Sequence, residues 1–152
     1  MFALTTVALL AAGAGAAIAL IRRIFLVVEV EGRSMEPSLS AGDRVLVRRQ
    51  PRRGQSVSRG EIVVIARIGP GEGFVVDGGP QRVIKRVAAV AGDPVPPMFR
   101  TLGEEAVPPG HILVLGDNLE HSADSRQWGF LPMRRVAGIV ARRLPPGPSE
   151  IA

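Results

Sequence analysis

The chain has 152 residues, a formal net charge of +5, 22% charged and 46% hydrophobic residues, and no cysteine. This length supports one globular domain with a real core, and not two. Disulfides and thiolate metal sites are excluded, two histidines are too few for a zinc site built mainly on histidine, and 4% aromatics without tyrosine gives no stacking surface, so neither metal nor nucleic acid is expected.

Met1 to Ile21 carries no charged side chain, and its run of Ala, Leu, Val, Ile and Gly from Leu4 to Leu20 ends at Arg22-Arg23. That run approaches the roughly 20 residues needed to span the hydrocarbon, so residues 1–21 are expected to be a single transmembrane anchor. A cleaved secretory signal is the competing reading, because Ala-Gly-Ala-Gly-Ala-Ala at 12–17 offers small residues of the kind that precede a cleavage site. The missing basic flank before the run, and its continuation beyond those small residues, favour the anchor. Counting Arg22 and Arg23 by the positive-inside rule puts the following domain in the cytoplasm.

Beyond the anchor the chain reads as β structure. Short β-branched runs occur at Phe25–Val30, Arg44–Arg48, Glu61–Ile68, Val83–Val90 and Ile112–Leu115. Turn signals separate them: Ala41-Gly42-Asp43, Arg59-Gly60, Gly69-Pro70-Gly71, Asp77-Gly78-Gly79-Pro80, Gly92-Asp93-Pro94 and Pro108-Pro109-Gly110. With 18 Gly and 13 Pro, this pattern predicts a mostly β fold, a compact barrel-like domain over 22–144. Residues 50–59 read as a surface loop and 145–152 as a flexible tail. The arginine pairs Arg48-Arg49 and Arg52-Arg53 fit solvated charge or anionic lipid headgroups beside an anchor.

Of the 19 basic residues only Lys85 is a lysine. Arginine can serve any need for surface charge, but it cannot release its proton in the range a protein reaches, whereas lysine can. A serine hydroxyl needs an adjacent base to become a nucleophile, and Ser34 lies in Gly32-Arg33-Ser34-Met35-Glu36-Pro37, a turn that Gly32 makes sterically easy. Histidine is the usual base, but His111 follows Pro-Pro-Gly like a turn or first-strand residue, and His121 lies in a polar loop without a recognisable Asp relay. A Ser/Lys pair is the alternative. Strand alternation puts Val83 and Val87 on the face of Lys85, an apolar setting that lowers an amine's pKa. A lysine that snorkels to water, and a serine that only bonds its own backbone, are the competing readings.

Four segments in order carry a resemblance: Ser-Met-Glu-Pro-Ser-Leu-Ser-Ala-Gly-Asp-Arg-Val-Leu-Val at 34–47, Arg-Gly-Glu-Ile-Val-Val at 59–64, Ile-Lys-Arg-Val at 84–87 with Ala-Gly-Asp at 91–93, and Gly-Asp-Asn-Leu-Glu-His-Ser-Ala-Asp-Ser-Arg-Gln-Trp-Gly at 116–129. The chain resembles the type I signal peptidases, membrane-anchored Ser/Lys endopeptidases that remove signal peptides from exported proteins. The resemblance implies Ser34 as nucleophile, Lys85 as general base, Ser122 as the serine that orients the lysine amine, and the Ser34 backbone N–H as an oxyanion donor. It implies Asp124 and Arg126 as a buried ion pair bracing the site, Gly116, Asp117 and Asn118 as further support, Met35 in the substrate groove, and Pro37 shaping the turn. It also implies preproteins with small residues at P1 and P3 as substrates, no cofactor, and a single-pass location in the plasma membrane with the catalytic domain on the outer face. That orientation opposes the Arg22-Arg23 signal; a start site further upstream with a basic flank is one expectation that removes the conflict.

Several positions depart from the family pattern. Gly32 stands where many bacterial members carry Ser or Thr to complete the oxyanion hole, a feature more like mitochondrial inner-membrane peptidases and small dedicated maturation peptidases. Leu119, Glu120 and His121 replace the more usual Arg, Asp and Asn, and Ala91 replaces a common Pro. Only 30 residues lie between Lys85 and Gly116, too few for the large second β-domain of some members, so a minimal catalytic core is expected. Two rival functions accompany these departures: a repressor-type Ser/Lys autoprotease, against which the apolar segment and the 122–129 box argue, and a membrane-tethered module that binds export substrates without cutting them.

Overall fold

The computed structural model describes residues 2–49, 56–66 and 82–145, with the side chains of the first helix described from residue 12 onward. Arg52-Arg53, the turns expected at 69–71 and 77–80, most of the 50–59 loop and all but the first residue of the 145–152 tail lie outside the described residues.

Helix α1 (Phe2–Ile24) is rich in Ala and Leu and contains no proline, which favours the helical backbone. Arg22 and Arg23 occupy its last turn, where positive charge complements the free carbonyls. Its described side chains are exposed, with Ile18, Leu20 and Ile21 each more than half accessible. Among the described residues no helix is long and apolar enough to cross a membrane. The part of α1 whose side chains are described, residues 12–24, is shorter than one bilayer span.

The helix passes without a linker into β1 (Phe25–Glu29). After it come β2 (Arg44–Arg49), β3 (Ile62–Ala66), β4 (Arg82–Val90), β5 (His111–Leu115), the short helix α2 (Ser125–Trp128), β6 (Leu131–Pro132) and β7 (Val136–Leu144). The fold is mostly β, as the pattern predicts. The expected barrel-like domain is realised as one seven-stranded antiparallel sheet in the order β1-β2-β7-β3-β4-β5-β6, with β1 and β6 at its edges.

The sequence pattern lacks two of these strands, the two-residue edge strand β6 and the longer β7, which lies inside the sheet between β2 and β3. Gly138 and the exposed Ala141-Arg142-Arg143 disguise it as a broken segment. The glycine has a packing cause: a Cβ there would lie 2.5 Å from the Arg48 carbonyl oxygen and 2.6 Å from Val47 Cγ1. Only a residue without a side chain lets β7 close on β2 beside the bulge at Leu46/Val47.

Both sheet faces are buried at the centre, so Ile62–Ile65 reads as a continuous apolar run rather than an alternating one. Val63, Ile65, Val87, Ile112, Val114, Val136 and Ile139 form one cluster. On the other side Val30, Met35, Leu39, Val45, Val47, Val64 and Ile84 form a second. The register pairs Val63 with Lys85 and Val64 with Ile84. Lys85 therefore shares the face of Val63, and with it Val83 and Val87, while Ile84 belongs to the opposite face.

Candidate active site

Ser34 lies in the turn that follows β1. The base of this loop is closed by Val30 N–H donating to the Asp43 carbonyl at 2.8 Å and Gly42 N–H donating to the Val30 carbonyl at 2.9 Å. Leu39 N–H donates to the Met35 carbonyl at 2.9 Å, and Met35 and Leu39 bury their side chains at 2% and 4% exposure. Those two anchors hold the turn against the sheet and leave Ser34 partly accessible. Gly32 adopts φ +76°, a left-handed conformation that any residue with a Cβ takes only at a cost. Pro37 is exposed in the turn.

Lys85 reaches this turn from the middle of β4. Its Nζ donates to Ser34 Oγ at 2.8 Å, although 51 residues separate the two in sequence. The side chain is 3% exposed, and burial pushes its pKa down from 10.5 to about 8 against the opposing attraction of Asp124 and Asp117. The Ser34 hydroxyl is thus the hydrogen-bond partner of an amine whose proton is held less tightly than that of an ordinary lysine.

The two carboxylates near Lys85 belong to the brace. Asp124 is fully buried and takes Gly116 N–H at 3.0 Å, Ser122 Oγ–H at 2.8 Å, Arg126 Nε at 2.9 Å and Arg126 N–H at 3.2 Å. Burial raises its pKa, but the Arg126 guanidinium and the other donors outweigh this and hold it below the ordinary carboxylate range. It is also the N-cap of α2, and its own N–H donates to Gln127 Oε1 at 2.9 Å. Ser122, which the resemblance assigns to the lysine amine, gives its hydroxyl proton to Asp124, so its partner here is the carboxylate rather than Lys85. Arg126 further donates to the Leu119 carbonyl at 2.7 Å and the Ser122 carbonyl at 3.1 Å, closing the 119–126 loop on itself.

Gly116 and Asn118 tie this brace to the Ser34 turn. Asn118 N–H donates to the Ser34 carbonyl at 3.0 Å. A Cβ on Gly116 would stand 2.2 Å from Ser122 Oγ and 2.5 Å from the Ser34 carbonyl oxygen, so a glycine is what lets the two loops meet. Asp117 makes a two-point pair with Arg86, from Nε at 2.7 Å and from Nη2 at 2.6 Å. Arg86 also donates to the Gly60 carbonyl at 2.8 Å and to Ser38 Oγ at 3.2 Å. The pair with Arg86 holds Asp117 below its usual pKa against the upward push of burial. Sequence reasoning missed Arg86 and Ser38 because no local spacing links them to Asp117; the tertiary fold alone brings them together.

A cavity of about 550 Å³ opens over Ser34 and Lys85. Val28, Val30, Met35, Val83 and Ile84 supply apolar walls, and Ala123 and Trp128 line it further. Glu29, Glu31, Arg82 and His121 add polar groups. Among the described residues no group of three or more His, Cys, Asp and Glu side chains is arranged to hold a metal ion.

The signal peptidase (peptidase S26) family profile matches residues 3–98 and 96–144 of the chain. The chain belongs to this family. It is 38% identical over 122 residues to mitochondrial inner membrane protease subunit 2 of Mus musculus, covering 74% of this chain and 63% of that protein. To a probable signal peptidase I-2 of Synechocystis it is 32% identical over 136 residues, covering 76% of this chain and 61% of the relative. Mitochondrial inner membrane protease subunit 1 of Schizosaccharomyces pombe is 31% identical over 128 residues, covering 82% and 76% respectively. The chain thus spans less than two thirds of the length of the first two relatives. A crystal structure of a signal peptidase I from Enterococcus faecalis is similar at a TM-score of 0.40 and 20% identity, covering 57% of this chain and 97% of that one.

Proposed function

We propose that this S26 family member is a membrane-anchored serine endopeptidase that removes signal peptides from exported preproteins. The 2.8 Å contact between Lys85 Nζ and Ser34 Oγ, at the floor of an open apolar-walled cavity, carries this reading. Neutral Lys85 takes the Ser34 proton as Oγ attacks the scissile carbonyl, and the Ser34 backbone N–H donates to the oxyanion that forms. Collapse of the tetrahedral species expels the amine of the mature protein, which receives its proton from Lys85. The acyl-serine is then hydrolysed by water that Lys85 deprotonates, and the proton returns to Ser34 as the peptide acid leaves. This chemistry needs no metal or organic cofactor.

Substrate selection follows from the walls. Val28, Val30, Met35 and Ile84 supply apolar walls, which suit the small apolar residues at P1 and P3 that the family resemblance implies. Asp124, Arg126, Gly116, Asp117 and Asn118 support the site, Ser122 acts on Lys85 through the Asp124 carboxylate, and Pro37 shapes the turn. Residues 1–21 form the anchor: α1 is one uninterrupted helix of 23 residues, about 34 Å long at 1.5 Å per residue, and its described side chains are exposed. Residues 22–144 form the catalytic domain, which faces outward from the plasma membrane.

The test is cleavage of an Ala-x-Ala preprotein, or a peptide presented in lipid, by the detergent-solubilised chain. Wild type cuts at the expected bond, and Ser34→Ala and Lys85→Arg are both inactive. Retained cleavage in either variant removes the Ser/Lys mechanism, and wild-type inactivity on a broad preprotein panel favours the non-catalytic module.

A further inference from the structure

We infer that Arg22, Arg23, Arg48 and Arg49 form a collar that binds anionic lipid headgroups and holds the catalytic domain down on the bilayer. This rests on the anchored reading above and adds the lipid class and the residues that meet it. Arg22 and Arg23 end α1, and Phe25 follows with only Ile24 between. Phe25 is paired in register with Arg48, so β2 delivers Arg48 and the adjacent Arg49 to the mouth of the helix from the neighbouring strand. All four side chains are exposed. None of them makes an ion pair among the described residues, whereas Arg33, Arg86, Arg126 and Arg143 all do. Segments 12–28 and 44–49 contain no Asp or Glu, so neither segment supplies a carboxylate that competes for the collar.

An unopposed cluster of guanidinium groups where an apolar helix meets a folded domain matches a plane of phosphate-bearing headgroups in charge and in position. The consequence for function is geometric. Strand β1 runs from the collar toward the cavity, which begins at Val28, about 10 Å from Phe25 at the rise of a β-strand. A domain pinned at this end keeps the cavity at headgroup level, where a substrate still held in the bilayer reaches Ser34.

Trp128 is the only tryptophan in the chain and lines the catalytic cavity, so its fluorescence reports the height of that cavity over the membrane without any need for peptidase activity. The full chain is reconstituted in phosphatidylcholine vesicles, with or without one third phosphatidylglycerol, using acyl-brominated lipid as quencher. Phosphatidylglycerol is expected to increase quenching in the wild type. The increase is expected to disappear in Arg48→Gln/Arg49→Gln and to survive in Arg48→Lys/Arg49→Lys, whose retained fold and charge control for misfolding. Equal quenching in both lipids, or an undiminished response in the Gln variant, overturns the collar. Flotation with pure phosphatidylcholine at high salt tests the anchor separately: a chain left at the bottom has lost the anchor reading, whatever the collar does.

Discussion

Lys85→Met should make the protein more stable while abolishing its activity. The lysine is 3% exposed, and its pKa falls from 10.5 to about 8 on folding, chiefly through burial. Between those two values the unfolded chain binds a proton that the folded chain does not, so wild-type stability rises with pH from about 8 to 10.5. Below pH 8 both states are protonated, and the folded protein carries the full cost of a buried ammonium, about 3 kcal/mol from the size of the shift. Methionine has a similar length, no charge, and apolar neighbours on the same strand face in Val83 and Val87. Urea denaturation of the detergent-solubilised protein at pH 7 should show the variant more stable by up to about 3 kcal/mol, or roughly 6–12 °C in Tm for a domain of this size. The gain should shrink as pH rises through 8 and vanish above 10.5, where the wild-type lysine is neutral in both states. A variant less stable than wild type at pH 7, or a gain independent of pH, would refute the claim that burial rather than ion pairing governs this amine.

The rate of peptide cleavage, as kcat/KM, should climb through pH 8 with a single ascending limb, because the neutral amine is the active form. Asp124→Asn should shift that limb to lower pH, since the carboxylate raises the lysine pKa, and should destabilise the fold by about 3–5 kcal/mol by leaving Arg126 without its buried partner. Acidification should mimic this loss in the wild type: the depressed pKa of Asp124 contributes stability at neutral pH that is lost as pH falls through its folded value, measurable as a falling Tm. Gly116→Ala should cost about 1–3 kcal/mol in stability and most of the activity, because its methyl would overlap Ser122 Oγ and the Ser34 carbonyl; unchanged kinetics would show that the two loops are not locked together there.

The sequence by itself determined the family and most of the scaffold. A single lysine among 19 basic residues, a serine in a glycine-led turn and the long 116–129 box singled out the candidate pair and the loop beside it, because motif residues are constrained by the bonds they must make. Five of the seven strands were legible for the same local reason, a β-branched run bounded by turn residues. Alternation also placed Val83 and Val87 on the face of Lys85, in agreement with its register partner Val63. The tertiary structure alone decided what depends on non-local contact. Strand β7 was hidden because its glycine answers to the backbone of β2 rather than to any local pattern. The Arg86–Asp117 pair bridges 31 residues, and Ser122 turns to Asp124 because a fully buried carboxylate collects the donors around it. The contact of Lys85 with Ser34 across 51 residues belongs to the same class: chemistry proposes the two side chains, and only the sheet brings them within 2.8 Å.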